Sequence, residues 1–311
     1  MSLFIFKKMI YNKVMEKEEF IKLNIIKEFG NNLLAKNYST NTYISYISDL
    51  YYFYLFVQKD LREVKETDIR KYLEQLNKQN EKPTSVRRRI STLKSFYKFL
   101  YKNGYMKKQD YPLNKTVYPK TEKRLPKFIY YNDLLEILDE STRDKDGIRD
   151  RLIIEMLYAT GVRVSELINI KYSDIDFNNN RIRVCGKGNK ERIVYYGEYA
   201  EDALKEYMNT HKKNENGFVF TNSKNEQLTD RGVRYIIDNI MQKLSVKVHV
   251  TPHVLRHTFA TDMLNNGCDI KVVQELLGHS SLGTTEVYTH VSNERLKEVY
   301  YSCFPRRDKD E

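Results

Sequence analysis

The chain has 311 residues, of which 41% are hydrophobic and 31% charged, and a formal net charge of +11. This length predicts two domains, the composition excludes a disordered chain, and no apolar run nears the roughly 20 residues needed to span a bilayer. The basic excess is confined to one end: residues 1–118 carry 23 Lys and Arg against 12 Asp and Glu, whereas residues 119–311 carry 30 of each.

That asymmetry predicts a polyanion-binding module joined to a domain of different purpose. A merely solvated basic surface is the plain alternative. Residues 1–17 form an N-terminal extension whose apolar part precedes Lys7 and Lys8 and lacks a small-residue cleavage site, so it does not read as a signal peptide. The first helix is predicted over Glu18–Leu34. Ser39 is placed to cap a second helix, in which Tyr43, Ile47, Leu50 and Tyr54 recur at helical spacing. A third begins at Thr67, with Ile69, Tyr72, Leu73 and Leu76 on one face.

The fourth helix follows Pro83, buries Val86, Ile90, Leu93, Tyr97 and Leu100, and stops at Gly104. Arg87, Arg88, Arg89 and Lys94 fall largely off that face. They suit contact with DNA phosphates or guanine edges, or else an ordinary solvated surface. The first domain is thus a helical bundle over 18–107. Residues 108–127 hold three of the six prolines, many lysines and no apolar period, and read as a linker.

A second domain is predicted over 128–311. A helix carries Leu134, Leu135 and Leu138. A buried helix over Arg149–Ala159 breaks at Thr160–Gly161, and another starts at Ser165. Arg163 sits at the break, where a charge needs a partner or a ligand, and Glu166 is the obvious partner three residues on. Ile175–Phe177, R-I-R-V-C and R-I-V-Y-Y, separated by N-N-N and G-K-G-N-K-E, predict a three-stranded antiparallel meander. Lys187 lies in the second turn, where a flexible ammonium suits proton donation. Helices follow near Glu201–Asn209 and Asp230–Lys243. The three cysteines (Cys185, Cys268, Cys303) form neither a disulfide framework nor a zinc pattern and suit a reducing cytoplasm.

Five of the six histidines lie in or just before Thr251–Val291. Thr251 is a candidate N-cap and Pro252 suits the first helical position, which puts His253 and Arg256 on one face near the positive end of the helix dipole. Another helix runs from after Asp269 to Gly278, with His279 just past it, and a third short helix carries Tyr288. His257 and His290 read as structural. The stretch lacks H-E-x-x-H, so no metal is called for.

Four segments, A-T-G-V-R-V-S-E-L, G-K-G-N-K-E-R, T-P-H-V-L-R-H-T-F-A-T and L-L-G-H-S-S-L-G-T-T-E-V-Y-T-H-V, closely resemble the catalytic signature of tyrosine recombinases, the phage integrase family. S-T-N-T-Y-I-S-Y-I-S-D-L and I-S-T-L-K-S-F-Y-K-F-L resemble the family's core-binding domain, especially in its Xer-type branch. The resemblance runs from about Glu18 to Pro305.

It implies a mainly α fold with a small antiparallel sheet: a SAM-like helical core-binding domain plus a tyrosine-recombinase catalytic domain. Tyr288 would attack the scissile phosphate, giving a 3′-phosphotyrosyl link. Arg163 and Arg256 would grip its non-bridging oxygens, Lys187 would protonate the leaving 5′-oxygen, His253 and His279 would support proton transfer, and Glu166 would stand behind Arg163. The phosphotyrosine conserves the bond energy, so neither metal nor ATP is required. The implied partners are double-stranded DNA and a homo- or hetero-tetramer on two duplexes, joined through the C-terminal tail. A DNA translocase is a candidate activator. The implied role is resolution of chromosome dimers. A mobile-element integrase, a relative that only relaxes DNA, and a non-catalytic DNA-binding protein are the alternatives.

Overall fold

The computed structural model describes residues 16–114, 116–119, 128–143, 146–186, 190–244, 249–278 and 293–308. The chain divides into two compact units, Met1–Arg124 and Leu125–Glu311. Among the described residues both are mostly helical, and the second contains a three-stranded antiparallel sheet. No described helix is long and apolar enough to cross a membrane.

Among the described residues the first unit opens with α1 (Lys17–Lys22) and α2 (Asn24–Ala35), not with the single helix that periodicity predicts. The break is at Leu23, whose ψ of 129° is extended. A straight helix would turn Phe20 about 120° away from Ile26. The break lets Phe20, Ile26, Phe29 and Leu33 all enter one core. α3 (Thr40–Val57) is capped by Ser39, whose hydroxyl accepts from the Thr42 N–H at 3.2 Å. α4 (Glu66–Lys78) buries Ile69, Tyr72 and Leu76.

α5 (Pro83–Lys102) starts on proline and buries every position predicted for it. Gly104, at φ +77°, ends it, with the Tyr105 N–H returning to the Leu100 carbonyl at 2.9 Å. The chain from 108 does not leave the bundle at once. Lys108–Asp110 forms a 3₁₀ turn, Leu113 is buried in the bundle core, and Tyr118 lies under the Lys94 ammonium at 4.2 Å.

The second unit is arranged around α7 (Gly147–Thr160), which is buried on nearly every face. α6 (Tyr131–Ser141), α9 (Glu198–Thr210) and α11 (Pro252–Asn265) pack against it. Between them come the short α8 (Val164–Leu167) and the sheet β1 (Ile175–Asp176), β2 (Arg181–Cys185) and β3 (Glu191–Tyr195), in the predicted order 1-2-3. The register pairs Ile182 with Val194 and Val184 with Arg192. Ile182 and Val184 point into the core, as the period of two requires. α10 (Asp230–Lys243) and α12 (Ile270–Leu277) complete the frame.

The terminal helix α13 (Asn293–Cys303), implied by the resemblance to dock into a neighbour, here packs on its own unit. Tyr300 is buried and its hydroxyl donates to the Ala159 carbonyl at 3.0 Å. Just beyond α13, Arg306 donates to Glu155 on α7 at 2.5 Å, with both side chains buried. Its guanidinium also lies 3.9 Å from the centre of the Tyr199 ring.

Candidate active site

α7 ends at Gly161, whose φ of +59° favours glycine. A Cβ there would come within 2.6 Å of the Phe259 ring on α11 and 2.8 Å of Leu277 on α12. Three helices therefore converge on this one residue, and the turn after it delivers Arg163 to the start of α8. Glu166 in α8 accepts from the Arg163 backbone N–H at 2.7 Å and from its Nη1 at 2.8 Å, as the three-residue spacing predicts.

Thr251 caps α11 by accepting from the Val254 N–H at 3.2 Å, and Pro252 takes the first helical position. His253 then points outward and Arg256 inward. Arg256 is 6% exposed and donates to the carbonyls of Gly161 (2.5 Å) and Leu277 (2.6 Å). Burial, then the neighbouring Arg163 charge, push its pKa down to about 10, with Glu166 acting in the opposite sense. It therefore remains a cation at neutral pH, one whose charge is uncomfortable until an anion arrives.

A third cation, Arg192 on β3, was not singled out from the sequence. Its Nη1 and Nη2 donate to the two oxygens of Glu166 at 2.9 and 3.0 Å, and its Nε donates to the Leu276 carbonyl at 3.0 Å. The Glu166 cluster thus sets three guanidinium groups against one carboxylate, Arg256 being the farthest at 3.9 Å. Three successive carbonyls at the end of α12 each face a different arginine: Leu276 with Arg192, Leu277 with Arg256, and Gly278 with Arg163 at 3.5 Å. A helix C-terminus leaves its last carbonyls unpaired and carries partial negative charge, so it is a natural seat for cations.

Arg163, Ser165, His253 and Arg256 line an open cavity of about 350 Å³ with no carboxylate among the described residues of its wall. Arg234 of α10 also lines it, held at rest by Asp230 at 2.5 Å, and it too was not singled out from the sequence. Two phosphate-gripping candidates, one imidazole and an extra guanidinium around such an opening can hold a phosphodiester and stabilise charge growing on its oxygens. A larger cavity of about 430 Å³ in the first unit, by Leu23, Tyr54 and Tyr105, contains none of the predicted site residues.

The structure brings together Arg163, Glu166, His253 and Arg256. Lys187, His279, Tyr288 and His290 lie outside the described residues. His257 is half-buried and lines no part of the cavity.

The four candidate DNA-binding cations of α5 all have partners within the first unit. Arg87 donates to the Pro119 carbonyl at 3.2 Å, and Arg88 pairs with the buried Asp49. Arg89 donates to the Tyr72 hydroxyl (3.0 Å) and to Glu81 (2.8 Å), and Lys94 to the Thr116 carbonyl (3.3 Å). Arg87 and Arg88 remain exposed, whereas Arg89 and Lys94 are half-buried.

Residues 127–295 match the model described as the phage integrase family, and residues 26–104 match that of the phage integrase N-terminal SAM-like domain. The chain belongs to the phage integrase family. Its similarity to curated members extends over nearly the whole length. It is 40% identical over 306 residues to tyrosine recombinase XerC of Staphylococcus haemolyticus (strain JCSC1435), covering 95% of this chain and 99% of that one. It is 42% identical over 302 residues to tyrosine recombinase XerC of Staphylococcus aureus (strain MSSA476), covering 93% and 99%.

The fold is shared with more distant integrase-family structures. XerH site-specific recombinase bound to its difH substrate superposes with a TM-score of 0.63 at 23% identity, covering 91% of this chain and 89% of that one. A lambda integrase (75–356) dimer on a core site gives 0.67 at 18%, covering 85% and 98%. By its family and these XerC relatives the chain is a site-specific tyrosine recombinase of the Xer kind.

Proposed function

We propose that this recombinase acts on double-stranded DNA to resolve chromosome dimers, as a tetramer on two duplexes, in the cytoplasm. The observation that carries the chemistry is the cavity walled by Arg163, Arg256 and His253 behind which Glu166 holds the arginines. Near-complete coverage at 40–42% identity to XerC proteins supports the chromosomal role over that of a mobile-element integrase.

Arg163 and Arg256 hold the non-bridging oxygens of the scissile phosphate, whose charge grows as the fifth bond forms. Planar two-pronged guanidinium groups suit that task better than ammonium groups. Tyr288 attacks phosphorus in line. The bond to the 5′-oxygen breaks, and that oxygen takes a proton from Lys187 to leave as a hydroxyl. His253 and His279 hydrogen-bond the phosphate and assist transfer of the tyrosine proton. Attack by the 5′-hydroxyl of a partner strand on the 3′-phosphotyrosine reverses the step and exchanges strands. Arg87 and Arg88, exposed on the basic unit, carry backbone phosphates, with Arg89 and Lys94 held closer to the bundle. If the tail is to pass to a neighbour in the tetramer, the Arg306–Glu155 pair must open.

The test is a duplex nicked next to the cleavage position, so that the short strand diffuses away and traps the enzyme. Wild type accumulates a covalent protein–DNA band and Tyr288→Phe does not. Equal signal from the two would overturn the assignment.

A further inference from the structure

Arg192 lies beside the phosphate-gripping arginines but does not line their cavity. Its side chain is only 14% exposed and is committed on two sides. On one side it embraces both oxygens of Glu166, the carboxylate that also orients Arg163. On the other, its Nε holds the Leu276 carbonyl in the last turn of α12. Its stem presses on Gly278 so closely that a Cβ there would come within 3.0 Å of its Cδ. Gly278 is also left-handed, at φ +64°, and is the residue from which the chain runs into His279 and, nine residues later, Tyr288.

A single guanidinium therefore ties the first arginine motif to the point where the chain carrying the nucleophile departs. A lysine could make one of these bonds but not all three, because its ammonium is a point charge without a fork. We propose that Arg192 is a positioning residue of the cleavage step. It clamps the C-terminal end of α12 to the Glu166–Arg163 pair, so that the segment bearing His279 and Tyr288 sets out from a fixed place relative to the phosphate site. This rests on the recombinase reading above.

A clamp of this kind acts on the reaction more than on DNA affinity, since Arg192 is not among the residues that line the phosphate cavity. Small misplacements of reacting groups cost about 100-fold in rate. The experiment uses the full chain, and a nicked duplex carrying the site found by mapping the DNA it binds genome-wide. Affinity is read by gel shift and cleavage by single-turnover formation of the covalent complex. Arg192→Lys is expected to bind within about twofold of wild type and to cleave about 100-fold more slowly. Arg192→Gln, whose shorter amide cannot span Glu166 and the Leu276 carbonyl together, is expected to show the same split and serves if the lysine variant does not fold.

Cleavage within about threefold of wild type in the folded variant, or affinity and rate falling together, overturns the clamp. An inactive wild type sinks the recombinase reading and the clamp with it. An active wild type with an unaffected variant sinks the clamp alone.

Discussion

The two oxygens of Glu166 accept the two terminal nitrogens of Arg192 at 2.9 and 3.0 Å, across 26 residues of sequence. The same carboxylate holds Arg163, and no carboxylate is among the described residues that line the adjoining cavity. Replacing Glu166 by Gln leaves three guanidinium groups without their counter-charge. Removing one partner of a buried ion pair costs about 3–5 kcal/mol, so Glu166→Gln should lower unfolding stability by that order at pH 7 in a denaturant titration.

The pH dependence of that difference has a definite sign. Burial pushes the Glu166 carboxyl up, but the hydrogen bonds and charge of Arg192, then the hydrogen bonds from Arg163, outweigh it and hold its pKa below the ordinary value. A depressed carboxyl contributes stability that is complete above its unfolded pKa of about 4.3 and is lost as pH falls through the folded value. Melting curves of wild type and Glu166→Gln should therefore lie far apart at neutral pH and converge in acid. A gap that stays constant down to pH 3 contradicts this linkage.

Arg256 tests the need for a fork over a charge. Lysine keeps the cation but cannot reach Gly161, Leu277 and a phosphate together. Arg256→Lys should bind DNA nearly normally and lose about 10²–10³ in the cleavage rate, the range seen when a donor to a developing oxyanion is removed. Near-wild-type cleavage would show that charge alone suffices.

Lys187 bears on proton transfer. If it protonates the leaving 5′-oxygen, Lys187→Ala should bind DNA unchanged and cleave about 10²–10⁴-fold more slowly, as for other general acids. A loss seen equally in affinity would make it a phosphate ligand instead.

The tail is tested through its buried pair. Arg306→Met strands Glu155, which is 1% exposed, and should cost about 3–5 kcal/mol. Arg306→Met combined with Glu155→Leu should recover most of it, because apolar replacements of a whole buried pair are often neutral. Denaturant midpoints of the single and double variants decide this.

Local signals made part of this site legible. The three-residue step from Arg163 to Glu166, the Thr251–Pro252 helix start and the period of two in β2 are all short-range patterns, and each occurs in the structure as predicted. Arg192 and Arg234 were missed because their significance is spatial. One meets its carboxylate across 26 residues, and the other enters the cavity wall from α10. The break at Leu23 carries no proline or glycine, and only the phase between Phe20 and Ile26 betrays it. The lysine-rich composition from 108 onward hid Leu113 and Tyr118, two single residues that fasten the segment to the bundle.

The Arg306–Glu155 pair also imposes an order on synthesis. Its partners are separated by 151 residues, so at ribosomal rates of 5–20 residues per second Glu155 waits roughly 8–30 s for its counter-ion. Until then the central helix of the catalytic unit holds an unpaired carboxyl in its interior. A chain that stops short of Arg306 therefore leaves a carboxylate uncompensated in the interior of its central helix, so losing the tail weakens this unit from within and does not merely shorten it.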